Sequence, residues 1–460
     1  MQDTPAPMPD APARPRVLRL AAPLVFSFWF RAAFQWVDTI YASTLDGLGD
    51  ASIAAIGLAA PFEFLMIACW VGLSNGLTSR LAAAMGAHEG EKVDQLLRAA
   101  RRVLVWVRGA FLLVALGVYL GAEHAGLDEE VAAQLRIYGP ILLAGSAFTA
   151  FASVIPDSLV KAHNDTRSTM WAGVISTLTN FALNTLFVFA FGWGLAGIAL
   201  ATVLARVGGW AYAVRRAAAH EAQRRSTAAD RAPGLHARPV RALLALAAPA
   251  GLGFALMAVE GLGLNALVAS RGDAEASLAA LTVVDRAVRF LSMPVIAVGV
   301  ALLPLAARLH GARDGEALRR ELRVALLASV GYGLALVLPL SLLLAPLVAT
   351  GLTEADAARE AAREGLALVA LPVLLSTPTF LLRSTFDGLQ LPRPGLLASL
   401  LRTFVFVLPL AMLGYTSGHA LGLAPIEGLV LGSAIGAGLT SLVLVVLMRQ
   451  HLREELPAPA

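Results

Sequence analysis

The stretch LAAPLVFSFWFRAAFQWVDTIYAST, Leu20 to Thr44, decides the fold. It is apolar and exceeds the ~20 residues that carry an α-helix across the hydrocarbon core of a bilayer. It nevertheless contains Arg31, Gln35 and Asp38, with Pro23 close to its start. A carboxylate at membrane depth costs roughly 2.5–3.5 kcal/mol on insertion scales, so by default it marks an ion or substrate path. The alternative is that Asp38 lies near the far end of the helix and reaches water. The functional reading is preferred, and the rest of the chain supplies its context.

Of the 460 residues, 57% are hydrophobic and only 15% charged, with a mean hydropathy of +0.70. Soluble domains carry about 25% charged residues, so this chain lacks the charge to coat a globule and reads as a polytopic membrane protein. The pI of 9.6 is explained by basic residues in short loops between apolar segments, which speak for membrane orientation rather than nucleic acid. Cys69 is the only cysteine, which excludes a disulfide framework and a cysteine-built metal site. The histidines show no ligand pair at metal spacing.

Apolar runs divided by breakers and charge clusters give about twelve spanning segments. They cover 17–45, 51–86, 95–121, 131–157, 167–190 and 194–216, then 240–270, 277–307, 318–348, 357–386, 394–416 and 425–449. Loop charge alternates along the chain. One side collects Arg98, Arg101 and Arg102; Lys161 and Arg167; Arg215, Arg216, Arg224 and Arg225; Arg319 and Arg320; and Arg449. The other side is acidic or nearly uncharged, as at Asp128 to Glu130. The positive-inside rule then puts both termini in the cytoplasm, which an even number of spans requires.

The two halves are related. GAHEGE at Gly86–Glu91 recurs as GARDGE at Gly311–Glu316, and LAAP at Leu20–Pro23 recurs at Leu246–Pro249. Leu159, Lys161 and Asp165 are matched to Leu381, Arg383 and Asp387 at an offset of 222. Six spans per copy make the repeat parallel, about an axis along the membrane normal. The expected fold is all-α, with about twelve transmembrane helices in two parallel-related six-helix lobes around a central cleft. Residues 1–16 read as a disordered cytoplasmic tail, 17–216 as the first lobe, 217–239 as a cytoplasmic linker, 240–449 as the second lobe and 450–460 as a second tail.

VDTIYAS, GLSNGLTSRLAAAMGAHEGE, LVKAHNDTRSTM and NFALNTLFVFAFGWGLAGIALAT resemble the multidrug and toxic compound extrusion (MATE) transporters, and PVIAVGVALLPLAARLHGARDGE and LLRSTFDG extend the likeness into the second half. The resemblance covers Leu20 to Met448. It implies a twelve-helix secondary antiporter of a plasma or inner membrane that exports organic, often cationic, compounds in exchange for H+ or Na+. On this resemblance Asp38 is the coupling carboxylate of the first helix. Asn180 and Asn184 match the polar pair of the fifth, Thr202 a hydroxyl of the amino-terminal ion site, Glu260 a glutamate of the seventh, and Pro23 a bending proline. The segment Gly365–Phe386, where sodium-linked members often add an aspartate, has no acid, so H+ is the preferred coupling ion.

The residues also argue for themselves. A partly desolvated carboxylate can exchange a proton for a cation, and Asn180 and Asn184, one turn apart, face one direction. Glu260, Gln35, Phe34 and Trp36 are candidates to line the substrate cleft, although the aromatics of the first segment surround it rather than forming a stripe. Arg31 is read as structural, holding an acid such as Glu63 or closing the cavity. Asp285 and Arg289 form a self-neutralising i,i+4 pair, and Arg206 has no evident partner. No cofactor is expected, no metal beyond Na+ at Asp38, Asn180, Asn184 and Thr202, and no partners beyond small organic molecules and membrane lipid; a monomer is expected. A flippase for an amphipathic substrate is the alternative, though it would line its cleft with several cations. A membrane-embedded enzyme would need a nucleophile–base or metal cluster, and none is visible.

Overall fold

The computed structural model describes residues 16–33, 37–45, 48–124, 127, 129–226, 236–270, 274–343, 345 and 356–455. All regular structure among them is helical. The first half contains α1 (Val17–Ala33), α2 (Val37–Ser43), α3 (Gly49–Gly86), α4 (Gly90–Gly121), α5 (Glu129–Ala162), α6 (Thr166–Ala190) and α7 (Gly194–Ser226). The second contains α8 (Pro239–Ala269), α9 (Ala274–Gly311), α10 (Gly315–Leu343), α11 (Asp356–Ala367), α12 (Ala370–Gly388), α13 (Pro392–Leu421) and α14 (Pro425–Glu455).

Ten of these helices are long and apolar enough to cross a membrane singly. Of the first segment, expected over 17–45, α1 and α2 are described, and 34–36 between them lie outside the described residues. The segment expected over 357–386 is two helices, α11 and α12, bent by 49° where they meet. The sequence gives the cause: α11, DAAREAAREGLA, is charged and amphipathic, and Arg359, Glu360 and Arg363 belong at the membrane surface rather than inside it.

The internal repeat is written into the backbone. Four non-glycine residues have positive φ: His88 (58°), Asn164 (58°), Arg313 (57°) and Gln390 (63°). They form two pairs at offsets of 225 and 226. Each ends a helix in the same way, with the next residue's N–H donating to the carbonyl five positions back: Glu89 to Ala84 (2.9 Å), Asp165 to Val160 (3.0 Å), Asp314 to Leu309 (2.9 Å) and Leu391 to Phe386 (2.9 Å). This left-handed cap satisfies carbonyls that a helix end leaves open. It also corrects one register. Asn164 aligns with Gln390, so Lys161 corresponds to Asp387 and Asp157 to Arg383, one turn from the offset of 222 read from the sequence. The expected match of Lys161 with Arg383 is therefore replaced by two i,i+4 charge pairs of reversed sign.

The lobes meet along small residues. A Cβ on Gly72 or Gly76 would strike the backbone of Ala247 and Gly251 in α8; one on Gly86 would strike Arg308, and one on Gly311 would strike Ala83. Lacking a hydrophobic drive in lipid, helices associate through such close approach. The lobes also exchange the basic ends of their first helices. Val17, Ala21 and Leu24 of α1 are buried in the cluster built by α9, α10, α12 and α14, while Leu243 and Ala247 of α8 are buried among α3, α4 and α5. Ser79 Oγ donates to the Asp387 carbonyl (2.6 Å) and Arg80 bonds Gln390 across the same seam. The two lobes are thus sealed at their basic end.

Candidate functional site

The polar centre of the first lobe is assembled from three helices. Asp38 lies in the first turn of α2, Asn180 and Asn184 on one face of α6, and Thr202 in α7. Asn184 Nδ2 donates to Asp38 Oδ1 at 2.7 Å and Thr202 Oγ1 to Asp38 Oδ2 at 2.8 Å. Asn180 Nδ2 reaches Thr202 Oγ1 at 3.2 Å and Asp38 Oδ1 at 3.5 Å, and Asn184 Nδ2 contacts Asn180 Oδ1 at 3.3 Å. Asn184 is fully buried and its Oδ1 has no partner, whereas Asp38 is half-buried. Among the described residues the donors on Asp38 are all neutral.

Tyr41, one turn along α2, sets this helix against α6. Its hydroxyl meets Thr185 Oγ1 at 2.5 Å, and its ring packs on Phe181 and Phe189. Sequence reasoning passed over Tyr41, although its position three residues after Asp38 puts it on the same helix face. The α6 backbone changes to a π-helical turn over Leu186–Ala190, directly after Asn184. Such turns let side chains leave the regular helical spacing.

The second lobe holds a related pair with different chemistry. Glu260 of α8 is buried (8% exposed) and receives Arg402 of α13 in a bidentate contact, Nε to Oε2 at 3.1 Å and Nη2 to Oε1 at 2.9 Å. Glu260 and Arg402 lie 222 positions after Asp38 and Asn180 respectively, each one turn short of the 226 set by the caps, so the two pairs occupy corresponding helices a turn apart. Arg402 also sits in a π-helical stretch, Leu401–Val407. The acid on the first helix of the lobe therefore faces a guanidinium where its counterpart faces an amide. Glu260 does not present a carboxylate to a wide substrate cleft. With Arg383, Thr379 and Ser399 it lines a cavity of about 20 Å³, room for about one water. Its partner is Arg402.

Other expected pairings change too. Glu63 is bound by Arg206 (2.9 Å), which also bonds Ser146, so Arg206 has a partner; the side chain of Arg31, expected to hold an acid such as Glu63 or to close the cavity, lies outside the described residues. Asp285 and Arg289 do pair (2.6 Å), and both are about half exposed on the apolar helix α9. Across the interlobe seam Trp29 stacks on Phe290 and donates to its carbonyl at 3.3 Å, and Phe64 stacks on Phe254. These contacts, related by the repeat, place aromatic side chains between the lobes. The cleft candidates Phe34, Gln35 and Trp36 lie outside the described residues. Pro23 is inside α1, where its missing N–H removes one helical hydrogen bond.

The MatE family model matches this chain twice, over residues 23–186 and 249–413, so each half corresponds to one copy of the family unit. "Probable multidrug resistance protein YoeA" of Bacillus subtilis is 24% identical over 285 residues, 60% of either chain. "Probable multidrug resistance protein NorM" of Deinococcus radiodurans is 29% identical over 199 residues, 42% of either chain. The chain thus matches about half the length of these curated relatives. The fold is similar over nearly its whole extent to a crystal structure of an aspartate-to-asparagine mutant of the Vibrio cholerae MATE transporter VcmN. The TM-score is 0.84 at 25% identity, covering 96% of this chain and 97% of the other.

Proposed function

This chain belongs to the MatE family, and from that premise we propose that it is a secondary antiporter that exports organic, cationic compounds in exchange for protons. The observation that carries the proposal is the Asp38 carboxylate held by Asn184 and Thr202 at 2.7 and 2.8 Å, neutral donors both. In this reading Asp38 takes up a proton when the path to an acidic compartment opens and gives it up when that path closes. Protonation turns one Asp38 oxygen into a donor, and the unpartnered Oδ1 of Asn184 is the acceptor available after a small side-chain movement. The oxygens of Asp38, Asn180, Asn184 and Thr202 would also suit Na+, a hard cation that prefers oxygen. In the second lobe the acid of the first helix is met by Arg402 of α13, a tethered cation on Glu260. Exchangeable coupling is therefore assigned to the first lobe alone.

Substrate exchange follows from alternating access. The lobes rock about the seam that is sealed at the basic end, and positive-inside orientation places that end and both termini in the cytoplasm. Aromatic residues between the lobes, Trp29 and Phe290 among them, suit flat organic cations. The test is transport by Asp38→Asn in proteoliposomes loaded with a fluorescent organic cation. The variant is expected to insert and fold normally and to lose pH-driven efflux. Efflux at the wild-type rate would remove Asp38 from the mechanism.

A further inference from the structure

Glu321 of α10 and Gln95 of α4 stand one position out of register at the offset of 225 that relates these helices, and each lies beside the start of a lobe's first helix. Glu321 is buried, and its carboxylate accepts the backbone N–H groups of Arg16 (2.9 Å) and Val17 (3.0 Å) at the start of α1. Gln95 is neutral and exchanges two 2.8 Å bonds with the backbone of His236, ahead of α8. The first helix of one lobe therefore begins on a protein carboxylate, and that of the other does not.

Where the carboxylate is lacking, positive charge gathers. Arg102 of α4 and Arg238 and Arg241 at the head of α8 line a groove of about 550 Å³, floored by Pro239, Val240 and Leu244. Among the described residues none of these three guanidinium groups has a carboxylate partner, and the nearby acid Asp94 is already bonded by Arg224 and Arg225. The repeat does not reproduce the groove's charge, because Leu327 stands 225 positions after Arg102. One turn beyond Arg102, Val105 and Trp106 are 62% and 61% exposed on the membrane-facing wall of α4. Arginine head, apolar floor and exposed tryptophan thus follow one another along the depth at which phospholipid headgroups give way to acyl chains.

We propose that this groove binds the phosphate headgroup of one anionic phospholipid, with its acyl chain lying along Leu244, Val105 and Trp106. Three arginines and no acid line the groove, which matches a phosphodiester, and the exposed Val105 and Trp106 one turn from Arg102 suit a ligand that brings an acyl chain, from the bilayer rather than from solution. The orientation proposed above makes this the cytoplasmic leaflet, although binding itself does not depend on that orientation. The site tethers α8 to α4, so bound lipid braces the seam at which the second lobe's first helix enters the first lobe.

Native mass spectrometry of the full chain in detergent, titrated with phosphatidylglycerol or phosphatidylcholine of identical acyl chains, tests this. One phosphatidylglycerol is expected to be retained per chain in preference to phosphatidylcholine, and free glycerol phosphate should not displace it. Each arginine removed should weaken binding about fivefold, from roughly 1 kcal/mol per basic residue near an anionic headgroup. Arg102→Ala/Arg238→Ala/Arg241→Ala should therefore abolish retention, and Arg102→Gln alone should weaken it even if the triple variant fails to fold. The control Arg313→Ala/Arg320→Ala/Arg323→Ala, with the same charge change at the other lobe's basic end, should retain the lipid. Equal retention of both lipids, equal loss in the control, or displacement by glycerol phosphate would overturn the proposal.

Discussion

The Glu260–Arg402 pair shows how far a single residue's meaning depends on its partner. Removing one member of a buried ion pair leaves an uncompensated charge and costs roughly 3–5 kcal/mol. Arg402→Ala should accordingly lower the melting temperature in detergent substantially, and adding Glu260→Gln should recover much of the loss. A double variant no more stable than Arg402→Ala would show that the pair is not energetically coupled. Asp165 gives a pH-dependent counterpart outside the membrane. Burial would raise its pKa, but hydrogen bonds from Ser168, His220 and Arg216 outweigh that and bring it down to about 2. A folded value below the ordinary value near 3.9 gives stability that is complete above about pH 4 and fades as pH falls toward 2. With allowance for residual exposure this is on the order of 1 kcal/mol. Asp165→Asn, which keeps the helix cap, should lose that pH-dependent difference, measured as melting temperature against pH; an unchanged profile would contradict it. Asp38, Asn180 and Asn184 were legible because polar residues inside apolar spans are conspicuous, and the family resemblance added Thr202 and joined the four as a set. The partners of Glu260 and Glu63 were not, because Arg402 and Arg206 lie more than a hundred residues away and no local rule joins them.

At the scale of the helix, the repeat carries most of the information. The sequence shows it through GAHEGE and GARDGE, and the structure shows why those glycines recur: Gly86 and Gly311 each meet the other lobe's backbone. Gly311→Ala forces apart the seal at the basic end, so it should reduce transport while each lobe still folds; wild-type transport rates would show that the seal tolerates a methyl group. The left-handed caps make a prediction of opposite sign. His88 and Gln390 hold φ of 58° and 63°, a conformation that costs an L-residue roughly 1–2 kcal/mol. His88→Gly and Gln390→Gly should therefore raise the melting temperature, and a drop would mean that their side chains contribute more than the strain costs. Helix existence was legible because long apolar runs have few alternatives in a membrane. The 49° bend between α11 and α12 was not, since a charged amphipathic helix joined to an apolar one reads as a single long segment. The register slip around Lys161 has a similar origin: Lys and Arg look equivalent in sequence, while the caps at Asn164 and Gln390 show that Lys161 answers to Asp387.

The whole molecule is two copies of one bundle in which symmetry is kept in the backbone and broken in the charges. Both lobes place an acid on the first helix and a polar partner on the fifth, beside a π-helical turn, and the lobes exchange the ends of their first helices. One acid faces amides and a hydroxyl, and the other faces an arginine. Under the proposed function that difference leaves a single exchangeable site on a symmetric scaffold. Composition made the membrane class legible, and loop charge supplied the orientation that the proposal adopts; the asymmetry was hidden because Arg402 carries no signature until it is seen on Glu260. The central claim is tested most directly by efflux of a fluorescent organic cation from proteoliposomes of the full chain, with proton and sodium gradients imposed separately. Efflux driven by the pH gradient alone, and lost in Asp38→Asn, is the predicted result. A requirement for sodium with no response to the pH gradient, or pH-driven efflux that survives in Asp38→Asn, would contradict the account.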